Sequence, residues 1–179
     1  MLVSGMITYR AERLSKKLIT YPALGLHQKI VHSTDYNNNK CVSEIMQYKK
    51  DNYRISDLRE DIQLEQVESL LKSSYWASNR DLAIIKISIE NSECFSLFYQ
   101  DHQIGFARVV TDFATVAYIA DLIIHPDHRS QGLGVWLTET IVNDPRWCTK
   151  FKFLVTDDAH SLYEKFGFSG SSKLLSTQV

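Results

Sequence analysis

Residues 121–136, reading D-L-I-I-H-P-D-H-R-S-Q-G-L-G-V-W, combine residue types and spacings suited to holding an anion. Arg129 opens the run R-S-Q-G-L-G, in which Gly132 and Gly134 stand two apart. Glycine lets a backbone turn sharply and approach a bound group closely. Leu133, Trp136, Leu137, Ile141 and Val142 follow at helical spacing, so a helix should start here. The unpaired N–H groups of its first turn would then point at a diphosphate, aided by the positive end of the helix dipole. The run is not a P-loop, since no G-K-[ST] follows, and Trp136-Leu137 stands where a dinucleotide fingerprint needs its third glycine.

Two other side chains have chemical potential. Tyr163 lies in V-T-D-D-A-H-S-L-Y-E-K-F-G-F at residues 155–168. A phenol can donate a proton to a leaving group of similar basicity, although a ring packed beside Phe166 is the simpler reading of that spacing alone. Asp121 sits mid-strand among Ala120, Leu122 and Ile123, where a carboxylate is costly unless it faces a wet cleft or is hydrogen-bonded to backbone. Both roles, base and structural, remain open from the sequence. His125 and His128 flank Pro126 as H-x-x-H with no third ligand evident, so no metal is expected.

The elements that must position these residues begin at Tyr53. A short strand at 53–56 precedes a helix at 62–71, with apolar residues at 64, 67, 70 and 71, and another at 81–89 carrying Leu82, Ile85 and Ile89. Strands are expected at 95–99 and 104–110, joined at Asp101-His102, and at 114–124, crossed by Asp121. A strand at 151–155 leads to a helix at 159–166, capped by Asp157 or Asp158 and closed by Gly167. Residues 174–179 supply a final strand beside 151–155. This order predicts a mixed α/β domain over 53–179. Residues 1–52 read as an N-terminal extension, linker-like around Asn37-Asn38-Asn39-Lys40, with a weak amphipathic helix at 6–19. Residues 1–45 are expected to be dispensable.

The chain has 179 residues, 44% hydrophobic and 23% charged, enough for one domain with a buried core. A net charge of -1 disfavours polyanion binding. Cys41, Cys94 and Cys148 show neither a disulfide framework nor a metal pattern, and no apolar run approaches the ~20 residues of a membrane span. A cytoplasmic location is the expectation.

R-x-x-G-x-G after a strand, together with A-x-x-L-Y-E-K-F-G-F, resembles the GNAT superfamily of acyl-CoA-dependent N-acetyltransferases over about residues 53–170. S-Y-W-A, G-F-A-R-V-V-T-D and A-D-L-I-I are similar to small bacterial members of unassigned substrate. The resemblance implies an α/β fold of the α+β type, with a central mixed, mostly antiparallel, splayed sheet flanked by helices. It also implies transfer of an acetyl group from acetyl-CoA to a primary amine of a small molecule or protein, by direct attack in a ternary complex. The diphosphate would lie on Arg129, Ser130, Gln131, Gly132, Leu133 and Gly134. The pantetheine arm would pair with Leu122, Ile123 and Ile124 as an added strand. A free N–H near Leu122 or Ile123 would bind the thioester oxygen. Tyr163 would be the general acid, and Asp121 falls where relatives often carry a base. Tyr75, Trp76, Arg108 and Asp112 are candidates for the acceptor wall. Acetyl-CoA and an amine are the implied partners, without nucleic acid, membrane or metal, in a monomer or homodimer. The alternative is a catalytically silent acyl-CoA-binding sensor or partner module, against which Tyr163 and the intact R-x-x-G-x-G weigh. An acetylating toxin acting on charged tRNA is disfavoured by the lack of basic surface.

Overall fold

The computed structural model describes residues 29–31, 45–147 and 150–177. In chain order the strands and α-helices are β1 (Lys29–Val31), β2 (Ile45–Lys50), β3 (Tyr53–Ser56), α1 (Leu64–Lys72), α2 (Leu82–Glu90), β4 (Glu93–Tyr99), β5 (His102–Thr111), β6 (Val116–Ile124), α3 (Leu133–Val142), β7 (Phe151–Phe153) and α4 (His160–Tyr163). The strands form one sheet in sequence order, β1 to β7. Every neighbouring pair is antiparallel except β6 and β7, which run parallel because α3 carries the chain back between them.

Strand alternation sends successive side chains to opposite faces, and each face buries its own helices. On one, Leu133, Trp136, Leu137 and Ile141 of α3 meet Phe95, Leu97, Ala107, Val109, Ile119 and Ile124. On the other, Val67, Leu70 and Leu71 of α1 and Ile85 and Ile89 of α2 cover Cys94, Phe106 and Ile123. Each such side chain contributes about 1.5–3 kcal/mol when fully buried. Gly105 is required where β5 meets β6: a Cβ there would lie 2.9 Å from Ile124 Cδ1 and 3.1 Å from the Ile123 carbonyl oxygen. Gln63 and Gln103 fix the start of α1 on β5 reciprocally. The amide of Gln63 donates to Gln103 Oε1 at 2.8 Å, and that of Gln103 to Gln63 Oε1 at 3.0 Å.

Three expectations are corrected. Residues 45–50, expected as linker, form β2 and pair with both β1 and β3. The turn at Asp51-Asn52 permits the hairpin, Asp51 taking a φ of 52° that aspartate tolerates better than most residues. Residues 174–177, expected as a strand, run without strand pairing, and Leu175 is 92% exposed. β7 spans only Phe151–Phe153, and the chain after Gly167 does not return to pair with it among the described residues. Neither Asp157 nor Asp158 caps α4; the Ala159 amide donates to Thr156 Oγ1 at 3.1 Å instead. The helix expected at 6–19 lies outside the described residues.

Candidate active site

β6 and β7 pair only at Val116–Phe151, Ala117–Lys152 and Tyr118–Phe153. β6 then continues to Ile124 with no partner on that side among the described residues, so the sheet splays open there. On its other side β6 pairs with β5, but the register slips: Phe106 faces Ile123 and Arg108 faces Ala120. One residue of β5, Ala107, thus lies opposite two of β6, Asp121 and Leu122, a β-bulge. Asp121 takes the strain with a φ of 55°, a conformation costing about 1–3 kcal/mol outside glycine. One extra residue exchanges the faces of everything after it. Ile123 therefore joins the α1–α2 side, Leu122 and Ile124 the α3 side, and Asp121 swings beside Arg108.

Beyond Ile124 the chain forms a 3-10 turn at Pro126–His128 and then the glycine run. Ser130 adopts a φ of 61° and Gly132 one of 77°, turning the backbone into α3. Gly132 is the N-cap residue and has no side chain to cap the helix. Among the described residues, nothing accepts a hydrogen bond from the amides of residues 130–135. Six free donors at the positive end of a helix can hold an anion. Arg129 Nε donates to the Ile124 carbonyl at 2.9 Å, tying the cradle to the end of the free edge. The Tyr53 hydroxyl donates to Gln131 Oε1 at 2.8 Å. Leu133 turns its side chain into the core, so only its backbone is available to a ligand.

Across the splay, Tyr163 is buried on α4 with its ring edge-on to Phe168. Burial, then the charge of Asp158 and the neighbouring Tyr75, pushes its phenol up to about 12. The phenol therefore stays protonated throughout the neutral range. Tyr75 belongs to the connection between α1 and α2, and its ring stands edge-on to Trp76 at 4.9 Å. Its hydroxyl accepts from the Asp157 amide at 3.4 Å, linking that connection to the segment after β7. Tyr75 and Trp76 are 58% and 42% exposed, an aromatic wall open to an incoming molecule.

The geometry favours one of the two roles left open for Asp121. Its carboxylate, 4% exposed, accepts on Oδ2 from Arg80 Nη1 at 2.7 Å and from Arg108 Nε at 2.5 Å. Both bonds fall on one oxygen and tie the α1–α2 connection and β5 to the bulge, an arrangement that suits a structural role. Arg108 is largely committed to that pairing and to Ser92 Oγ at 3.3 Å. Asp112 is a turn residue rather than a wall residue. Its Oδ1 accepts from the amides of Ala114, Thr115 and Val116, and its Oδ2 from the Thr115 hydroxyl. These bonds hold its carboxyl well below the usual carboxylate range. The sequence reading missed Arg80, whose only local sign is a lone cation in S-S-Y-W-A-S-N-R. His125 Nδ1 accepts from the Asp127 amide at 3.3 Å, and no group of three His, Cys, Asp or Glu side chains converges among the described residues.

Known proteins resemble this chain in sequence and fold. The family described as acetyltransferase (GNAT) domain matches residues 90–170. The uncharacterized N-acetyltransferase ycf52 of Gracilaria tenuistipitata var. liui is 40% identical over 91 residues, covering 48% of this chain and 50% of that protein. The chain thus spans about half the length of that relative. The ycf52 protein of Pyropia yezoensis is 31% identical over 126 residues, 66% of this chain and 71% of its own length. A GNAT-family protein from Xanthomonas campestris pv. campestris superposes with a TM-score of 0.67 at 30% identity, over 71% of this chain and 93% of that one. An acetyltransferase from Clostridium acetobutylicum, solved with acetyl-CoA, shares the fold at a TM-score of 0.54 and 17% identity, over 71% and 95% of the two chains. The chain belongs to the GNAT superfamily of acetyltransferases.

Proposed function

We propose that the chain transfers an acetyl group from acetyl-CoA to a primary amine by direct attack within a ternary complex. The observation that carries this reading is the succession of two unused hydrogen-bonding surfaces: the edge of β6 left unpaired among the described residues leads, through the turn at Pro126–His128, to the free amides of residues 130–135. A diphosphate fits the cradle, with Arg129 and Gln131 beside it. A pantetheine arm carries amides at strand-like spacing and suits the edge at Leu122, Ile123 and Ile124. That the Clostridium acetobutylicum relative was solved with acetyl-CoA supports the same donor here.

The neutral amine nitrogen attacks the thioester carbonyl carbon, and a backbone N–H at Leu122 or Ile123 steadies the developing oxyanion. The C–S bond then breaks. Tyr163 donates its proton to the departing sulfur, and the proton shed by the nitrogen restores the phenol through water. Asp121 supports the bulge and the two arginines rather than accepting that proton. Loss of a general acid lowers turnover by about ten- to a thousandfold, so Tyr163→Phe should do so while acetyl-CoA affinity stays nearly intact. Because the phenol sits near 12, wild-type turnover should also show no alkaline fall near pH 10 that disappears in Tyr163→Phe. Unchanged turnover in the variant at saturating substrates would leave Tyr163 as a packing residue. CoA binding without thiol release over a broad amine panel would instead indicate a silent module.

A further inference from the structure

Two guanidiniums meet one carboxylate oxygen at the bulge. Arg80 and Arg108 both donate to Asp121 Oδ2, which leaves one positive charge in excess. Their side chains are only 22% and 15% exposed, so water screens that excess incompletely. Arg59 lies on the same side, bonded to the carbonyls of Ile89 and Ser92, and adds to the cationic field. Glu93 shares Arg146 with Asp57 and Asp144, so acids outnumber cations in that neighbouring cluster, and the free donors of Arg80 rather than net charge single out the bulge.

Donor geometry narrows what would answer this charge. Arg80 spends Nη1 on Asp121, while among the described residues its Nε and Nη2 have no acceptor. Those two N–H groups point the same way and form the parallel fork that matches a carboxylate. Arg108 uses Nε and Nη1 and keeps Nη2. Asp121 adjoins Leu122 in the chain, so the arginines stand at the head of the edge assigned to the pantetheine arm. Asp157 lies against Tyr75, which belongs to the same connection as Arg80, and Asp158 lies near Tyr163. Cations at the bulge and anions beside the proposed acid thus both adjoin the α1–α2 connection.

We propose that Arg80, with Arg108, is the specificity site for a carboxylate carried by the acceptor, making the acceptor a small amine of amino-acid type. Asp121 holds the two guanidiniums in place, and the exposed rings of Tyr75 and Trp76 wall the rest of the acceptor. The aspartates after β7 attract the ammonium form as it arrives. A bare alkylamine or polyamine leaves the arginine fork empty.

This inference rests on the acetyl-transfer reading, and its test keeps the two apart. L-amino acids and ω-amino acids such as β-alanine are compared with their own carboxamides, by thiol release from acetyl-CoA. For at least one pair, kcat/KM for the acid should exceed that for the carboxamide by about tenfold or more, as a hydrogen bond to a charged group allows. Arg80→Gln should bring that ratio close to one, and Arg80→Lys should restore part of it. Equal use of acid and carboxamide overturns the proposal, as does a ratio that survives Arg80→Gln while both rates fall, since Arg80 would then only staple its loop. If no amine releases thiol, acetyl transfer fails, and calorimetry of the same pairs with CoA-saturated protein decides the carboxylate site alone. Binding of an amino acid that is lost on amidation and in Arg80→Gln upholds the site; no such binding overturns it.

Discussion

The two sides of the cleft are built by different means. The donor side, from Leu122 to Gly134, is mostly backbone: an unpaired edge, two positive-φ residues and a helix start with free amides. All of it comes from one continuous stretch of chain. The acceptor side is assembled from side chains far apart in sequence. Arg80 reaches across 41 positions to Asp121, and Tyr75 reaches across 82 to the Asp157 amide. A backbone-built site recognises whatever is shared by every reaction of a family, which on the proposed reading is a diphosphate and an amide-rich arm. A side-chain-built site changes with single substitutions, and that is where acceptor choice belongs.

The sharpest test of that contrast is Gly134→Val. A Cβ at this position meets only Ile124 Cγ1 at 3.9 Å, an ordinary contact, so the empty protein accommodates a side chain. Valine should therefore leave the melting temperature nearly unchanged. It would nonetheless cover amides needed by the diphosphate, and losing several hydrogen bonds to a charged ligand weakens acetyl-CoA by on the order of a hundredfold or more. Calorimetry on the folded variant reads this directly. Unaltered affinity would mean that the cradle is not the donor site.

The same contrast explains what the sequence disclosed. The glycine run, the apolar face of α3 and the L-Y-E-K-F-G-F helix are local patterns, and the turn, α3 and α4 lie where those patterns put them. Long-range pairing left no such trace. Nothing around Asp121 announces a left-handed residue, because the bulge follows from how β5 and β6 close over Gly105. The sequence reading passed over Arg80 and took Asp112 for a candidate of the acceptor wall. β2 went unseen because I-M-Q-Y-K-K is short and lysine-ended, and gains its strand character from β1 and β3.

Asp121→Asn probes the acceptor side. Asparagine tolerates a φ near 55° well, so the bulge should survive and only the charge is removed. Two partly buried guanidiniums then lose their counter-ion. Removing one partner of a fully buried pair costs about 3–5 kcal/mol; with the arginines still reaching solvent, roughly 2–3 kcal/mol is expected in chemical denaturation. On the structural reading of this carboxylate, the pH–rate profile should keep its shape, at whatever height. An acid limb that vanished in this variant would return Asp121 to that role and undo the separation between a holding carboxylate and a reacting phenol.

Asp112→Ala should have the smallest effect. In the sequence reading Asp112 shared the acceptor wall with Arg108, whereas its oxygens serve the turn between β5 and β6. Turnover and acceptor preference should therefore match the wild type, with a modest fall in melting temperature as the only change. The pH dependence of that fall tests its cause. Bonds from Thr115, Ala114 and Val116 lower the folded-state carboxyl below its unfolded value, so its stabilising contribution is complete above the ordinary aspartate range and disappears as pH falls through the folded-state value. The gap in melting temperature between Asp112→Ala and wild type should be widest near neutrality and narrow as the medium becomes strongly acidic. A gap independent of pH would place the loss in packing, and a changed KM for the acceptor would restore Asp112 to the wall, extending the acceptor site from the bulge to the far end of the hairpin.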